Sequence, residues 1–103
     1  MNHMYDKCEE RTYDWARTRG ILDQAKAEDQ AKKYLEEVGE TLLAIGANDK
    51  EKIKDGIGDS LVTLHILSVL LGESPLDCWS EVLDVIEKRQ GKMINGQFVK
   101  DPE

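Results

Sequence analysis

One stretch of this chain constrains the fold more than any other. Residues 50–71 read as a helix that is apolar on two sides. Ile53, Ile57, Leu61, Leu64 and Leu71 fall on one face at three- and four-residue spacing, and Val62, Ile66 and Val69 fall on another. Such a helix is buried on more than one side, yet a chain of 103 residues has material for only one modest core. The expectation is an all-α fold forming a single domain over residues 1–103, with this helix central. Further copies of the chain would cover what one copy cannot, giving a homodimer or homotetramer that associates through its helices.

Three other segments complete a four-helix bundle. Residues 5–19 have helix-compatible composition and end at Gly20. Asp23 is placed to cap a long helix over 24–47, in which Leu35, Val38, Leu42 and Ile45 form an apolar stripe. Ser74-Pro75-Leu76-Asp77 is a strong start signal, with a capping hydroxyl, a proline at the first helical position and an acid two residues on. It predicts a last helix over 75–90. The tail, 91–103, holds Asn95-Gly96 between apolar residues, which predicts a tight turn or short hairpin.

Charge narrows the partners. With 21 acidic and 14 basic side chains the chain carries a formal charge of −7, which disfavours nucleic acid and anionic membrane surfaces. A small anionic substrate remains compatible, because a metal ion reverses the local potential. The run from Leu61 to Leu71 is too short to span a bilayer, and Met1 to Glu10 is polar without an apolar signal region, so a cytoplasmic protein is expected. Cys8 and Cys78 form no ligand-like pair and read as reduced, part-buried small side chains.

The acidic residues are not spread evenly. Glu36-Glu37-Val38-Gly39-Glu40 places Glu37 and Glu40 roughly 60° apart on one side of a helix, where like charges repel. Asp55 and Asp59 are four apart in the next helix, and the face of Asp59 continues into Val62, Ile66 and Val69. A carboxylate on an apolar face is costly without a partner. Gly39, Gly56 and Gly58, each unfavourable inside a helix by about 1 kcal/mol, stand beside these acids and suggest close backbone approach. An all-oxygen ligand set of Glu37, Glu40, Asp59 and Asp55 suits Mg²⁺, with Mn²⁺ as the second choice. Glu28, Asp29, Glu51, Glu73 and Glu81 read as ordinary solvated faces.

Together these residues resemble a known family. Glu37-x-x-Glu40, a spacer of fifteen residues and then Gly56-x-x-Asp59 is similar to the E-E-x-x-E … E-x-x-D signature of the MazG-like all-alpha nucleotide pyrophosphohydrolases. Trp15-Ala-x-x-Arg-Gly20, Gln30-x-x-Lys33, Arg89-x-Gly91-Lys-Met and Asn95-Gly-x-Phe-Val-Lys100 extend the likeness to a compact subgroup common in phage and prophage genomes. Two departures stand out. The glutamate of E-x-x-D falls on Gly56, leaving that corner to Asp55, Glu36 or water, and the basic residue expected two positions before Arg89 is Glu87.

The resemblance implies Mg²⁺-dependent hydrolysis of a nucleoside triphosphate to a monophosphate and pyrophosphate. Glu36, Glu37, Glu40 and Asp59 would form the catalytic set. Lys88, Arg89, Lys92 and Lys100, with Lys33, are the implied phosphate ligands. Asn95 is a turn residue or a substrate contact, and Trp15 stacks on a base or anchors the first helix. His65, mid-helix among apolar residues, reads as a hydrogen-bonded core or interface histidine. Rival readings are a dUTPase-like or phosphoribosyl-ATP-pyrophosphatase-like activity on the same metal chemistry, and a non-enzymatic acidic helical interaction module.

Overall fold

The computed structural model describes residues 3–102, so Met1, Asn2 and Glu103, which the expected polar N-terminus and tail include, lie outside the described residues. The chain is mostly helical with one small sheet: α1 (His3–Thr18), α2 (Ile21–Gln24), α3 (Ala27–Gly46), α4 (Lys50–Leu70), α5 (Pro75–Ile86), β1 (Gly91–Ile94) and β2 (Gln97–Lys100). No single helix among the described residues is long and apolar enough to cross a membrane.

Local chemistry explains most of the boundaries. Gly20 ends α1 at φ 75°, a left-handed conformation that costs a glycine little. The expected helix over 24–47 begins differently: Ala25 and Lys26 are extended, splitting off the short α2. Asp23 therefore sits inside α2 and caps nothing, while Lys26 occupies the cap position of α3 without a side-chain cap. Asn48, at φ 52°, turns the chain out of α3, and Asp49 caps α4 by accepting from the Lys52 N–H at 3.2 Å. Ser74 caps α5 in the same way, accepting from the Asp77 N–H at 3.2 Å behind Pro75. Asn95 and Gly96, at φ 50° and 83°, make the two-residue turn of an antiparallel hairpin in which Gly91 pairs with Lys100 and Ile94 with Gln97.

Packing centres on the antiparallel pair α3–α4, with α1 and α2 laid against α4. Ala44 and Ile66 are buried in this assembly with Ala16 of α1, alongside the polar Gln30, Glu37 and Thr63. Gln30 satisfies its amide by donating Nε2–H to the Thr63 carbonyl at 3.2 Å across the helices. Gly56 marks the tightest approach. A Cβ there would collide with Thr41 Oγ1 and lie 3.2 Å from Thr41 Cα, so the expected close backbone approach holds at this glycine. It does not hold at Gly39 or Gly58, where a Cβ would meet open space.

The pair has two different broad sides. Helical spacing sets Glu40, Asp55 and Asp59 on one, and Leu35, Val38, Leu42, Ile45, Ile57, Leu61 and Leu64 on the opposite one, all of them exposed. At the far end of α4 the chain turns by 100° into α5. Among the described residues the hairpin packs against no helix. The result is open: the radius of gyration is 16.2 Å, against about 13 Å for a compact chain of this length.

Cys8 and Cys78 are free as expected but exposed, not part-buried, because α1 and α5 turn them outward. His65 is half-buried and hydrogen-bonded. Its Nδ1–H donates to the Leu61 carbonyl at 2.7 Å, which leaves Nε2 to accept from the Tyr5 hydroxyl at 3.2 Å. Tyr13 packs its ring against the same imidazole, and burial, followed by the charge of Glu9, pushes its pKa up to about 12.

Candidate functional site

On α4, Lys52, Asp55, Gly56 and Asp59 recur at one-turn intervals and so share a stripe. On α3, Glu40, Leu43, Ala44 and Ala47 do the same. The two stripes face one another across a cleft of about 470 Å³ near the turn between the helices. Glu40, Asp55 and Asp59 thus line one space, with Asp49 at its rim and Lys52 as its cation. Lys52 was not among the candidates. Its position three residues after the capping Asp49, in phase with Gly56 and Asp59, is the signal that marks it.

Glu37 stands apart from the cleft lining. It is only 8 % exposed, between α3 and α4, and its carboxylate is met by Lys33 Nζ at 3.5 Å. The same ammonium lies 3.6 Å from Glu36. The hydrogen bond to Glu37 and the charge of Glu36 hold the Lys33 pKa above its ordinary value. Lys33 is therefore engaged by acids on its own helix.

The donor set tests well for a hard divalent cation in kind, being carboxylate oxygens on facing helices. The carboxylates do not close into a cage: among the described residues no group of three metal-ligating side chains converges. Gly56 contributes space and no ligand, because the nearness of Thr41 leaves no room for a side chain. Asp55 lines the cleft beside Asp59.

The implied phosphate ligands lie elsewhere in the chain. Arg89 and Lys100 meet at a second hollow of about 340 Å³, between the end of α5 and the hairpin, with Gln90 and Asp101. Lys88 and Lys92 flank it in sequence without lining it, and Asn95 serves the hairpin turn at φ 50°. Trp15 is 44 % exposed, with the Arg19 guanidinium 4.7 Å from its ring centroid, so a cation already covers one face. One chain does not bring the acidic and cationic sets together.

Comparison with known proteins adds one relative. The chain is 36 % identical over 54 residues to an uncharacterized 18.2 kDa protein from the rep–hol intergenic region of Haemophilus phage HP1. That match covers 52 % of this chain and 33 % of the phage protein, so the chain spans about a third of the relative's length. No protein-family profile matches the chain. No solved structure matches it either.

Proposed function

We propose that this protein is a Mg²⁺-dependent nucleoside triphosphate pyrophosphohydrolase, working in the cytoplasm as a homodimer or homotetramer and converting a (d)NTP and water to a (d)NMP and pyrophosphate. The observation that carries the reading is the cleft in which Glu40, Asp55 and Asp59 face one another from two helices, with Glu37 buried behind them. Four carboxylates around one space, counting Asp49, with a single lysine leave an excess of negative charge that a divalent cation offsets. Glu40, Asp55 and Asp59 would hold the metal, and Glu37 would join them only by leaving Lys33. When bound, Mg²⁺ supplies charge neutralisation for phosphate oxygens that would otherwise be repelled by the cleft.

The remaining work falls to the chain's own groups. To Glu36, exposed beside Glu37, this reading assigns the task of orienting a water and taking its proton as that water attacks the α-phosphorus in line. Arg89, Lys88, Lys92 and Lys100 hold the departing pyrophosphate, Arg89 by its two-pronged guanidinium. Trp15, with its ring half open, is the candidate base platform. Dimers or tetramers would complete the bundle of which one chain supplies only part.

The test is a pyrophosphate-release screen over canonical and modified nucleotides, run with thermal unfolding in Mg²⁺ and Mn²⁺. Metal at a hundred times its dissociation constant should stabilise the fold by about 2.7 kcal/mol. Glu40→Gln and Asp59→Asn should abolish both that gain and turnover. An unmoved melting curve with no nucleotide hydrolysed would leave the chain an acidic helical interaction module. Hydrolysis confined to dUTP or phosphoribosyl-ATP would narrow the activity to that substrate.

A further inference from the structure

We propose that Lys52 is the substrate-holding cation of the acidic cleft, its ammonium gripping an oxygen of a metal-bound polyphosphate that lies over Gly56. The inference rests on the pyrophosphohydrolase reading and adds to it a ligand from the cleft's own wall.

Helical spacing leaves Lys52 free for this role. A lysine on a helix is neighboured by the residues three and four further on, and pairs with acids placed there. Lys33 has both, Glu36 and Glu37, and meets them at 3.6 and 3.5 Å. Lys52 has Asp55 three residues on, but Gly56 stands where the second acid would be. Among the described residues the Lys52 ammonium pairs with no carboxylate. Asp49, three residues back, is engaged in capping, its Oδ1 accepting the Lys52 backbone N–H at 3.2 Å. An exposed ammonium thus borders four carboxylates and is bound to none of them.

The cleft's long dimension gives the ligand a direction. Lys52 and Asp59 are seven residues apart on one stripe, about 10 Å along the helix axis. Gly56 lies between them and contributes no side chain, so the space above it belongs to the cleft. Helical side chains lean toward the N-terminal end, which carries Asp59 over Gly56 and sets Lys52 at the outer end. A metal on Glu40, Asp55 and Asp59 would therefore sit inward, with its polyphosphate running outward to Lys52. That end of α4 is also the positive end of its dipole. The facing wall on α3 adds only Leu43, Ala44 and Ala47, whose side chains donate no hydrogen bond. Among the residues lining the cleft, Lys52 is the one cation an anion can meet.

The same position makes the role measurable. A positive charge beside a divalent ion repels it, so Lys52 weakens binding of the bare metal. A polyphosphate lying between the two charges turns that repulsion into attraction on both sides. Metal and polyphosphate should then favour each other's binding reciprocally, through Lys52.

The test is calorimetric titration of the full-length chain with Mn²⁺ and, separately, with preformed Mn²⁺–imidodiphosphate, whose P–N–P bridge stands in for pyrophosphate and resists hydrolysis. Lys52→Gln should bind the bare ion about two- to fourfold more tightly. It should bind the complex about three- to tenfold more weakly. Lys52→Arg keeps the charge and donors and should restore the wild-type order of affinities. Lys54→Gln removes the same charge about 200° around α4, outside the cleft lining, and should leave both affinities unchanged. Loss of fold would weaken both titrations, and a general charge effect would appear in Lys54→Gln as well. If Mn²⁺ binds but Lys52→Gln takes up the complex as tightly as the wild type, or Lys54→Gln weakens it equally, Lys52 does not hold the polyphosphate and the metal site stands without it. If the wild type takes up neither probe, the pyrophosphohydrolase reading falls, and this inference with it.

Discussion

Substituting Gly56 by alanine tests whether the contact between α3 and α4 is set by that one missing side chain. The new Cβ would collide with Thr41 Oγ1, and it would sit 3.0 Å from Thr41 Cβ and 3.2 Å from Thr41 Cα. The last two neighbours belong to or adjoin the backbone of α3, so rotating Thr41 cannot clear them and the helices must part. Overpacking of this kind costs about 1–3 kcal/mol. Alanine returns about 1 kcal/mol of helix propensity, leaving a net loss of about 1–2 kcal/mol. At about 4–8 °C per kcal/mol for a domain of this size, Gly56→Ala should melt several degrees to about 15 °C lower. Thermal unfolding is read at one fixed protein concentration, since assembly would link stability to concentration. Gly58→Ala, with nothing within 4 Å of its Cβ, is the control and should melt slightly higher than the wild type. Thr41→Ala removes the colliding oxygen, so the two changes should couple by at least about 1 kcal/mol in a double-mutant cycle. A Gly56→Ala protein as stable as the wild type would refute the close approach. Gly56→Glu should lower stability further and gain no metal affinity.

Other outcomes follow from single groups. Tyr13, pushed up to about 12, should appear as a late phase in the ultraviolet tyrosine titration, and Tyr13→Phe should remove that phase. The sign is fixed by the direction of the shift: the folded form holds its proton more tightly than the unfolded chain. The docking of α1 on α4 is therefore at full strength below pH about 10 and weakens as pH rises through about 12. Ser74→Ala should cost about 1 kcal/mol, and amide exchange should accelerate first at the start of α5, which little else supports. Under the proposed reading Glu40→Gln and Asp59→Asn should remove metal stabilisation while leaving the helical content intact, because among the described residues neither carboxylate has a hydrogen-bonded or ion-paired partner.

Much of the fold is legible in the sequence because its boundaries depend on local chemistry. Ser74-Pro75, Asn95-Gly96 and Gly20 act through backbone preferences that need no tertiary partner, and each ends or starts an element where it stands. The break at Ala25–Lys26 is not of this kind: neither residue resists helix, and the packing of the short α2 against α4 decides it. The candidate site divides in the same way. Spacing places Asp55 with Asp59, and Glu40 faces them across the cleft. That Glu37 turns inward to Lys33, and that Lys52 completes the lining, depends on how deeply two helices approach at Gly56 and Thr41. The exposure of Cys8 and Cys78 was invisible for a related reason. Residue type gives an average tendency to be buried, whereas their helices are held along one edge only.

The ion pair between Lys33 and Glu37 also bears on the order of events in the life of the chain. In many small metal proteins the ion is a staple, and the apoprotein is unfolded until the metal arrives. Here the most deeply placed carboxylate already has a cation of its own, carried one helical turn away on the same segment. A newly made chain can therefore fold without a metal ion, and under the proposed reading magnesium would arrive as a client of a finished scaffold. Chelation should then silence such a protein without exposing it to proteases, and the pool of molecules ready to act would survive swings in ion supply.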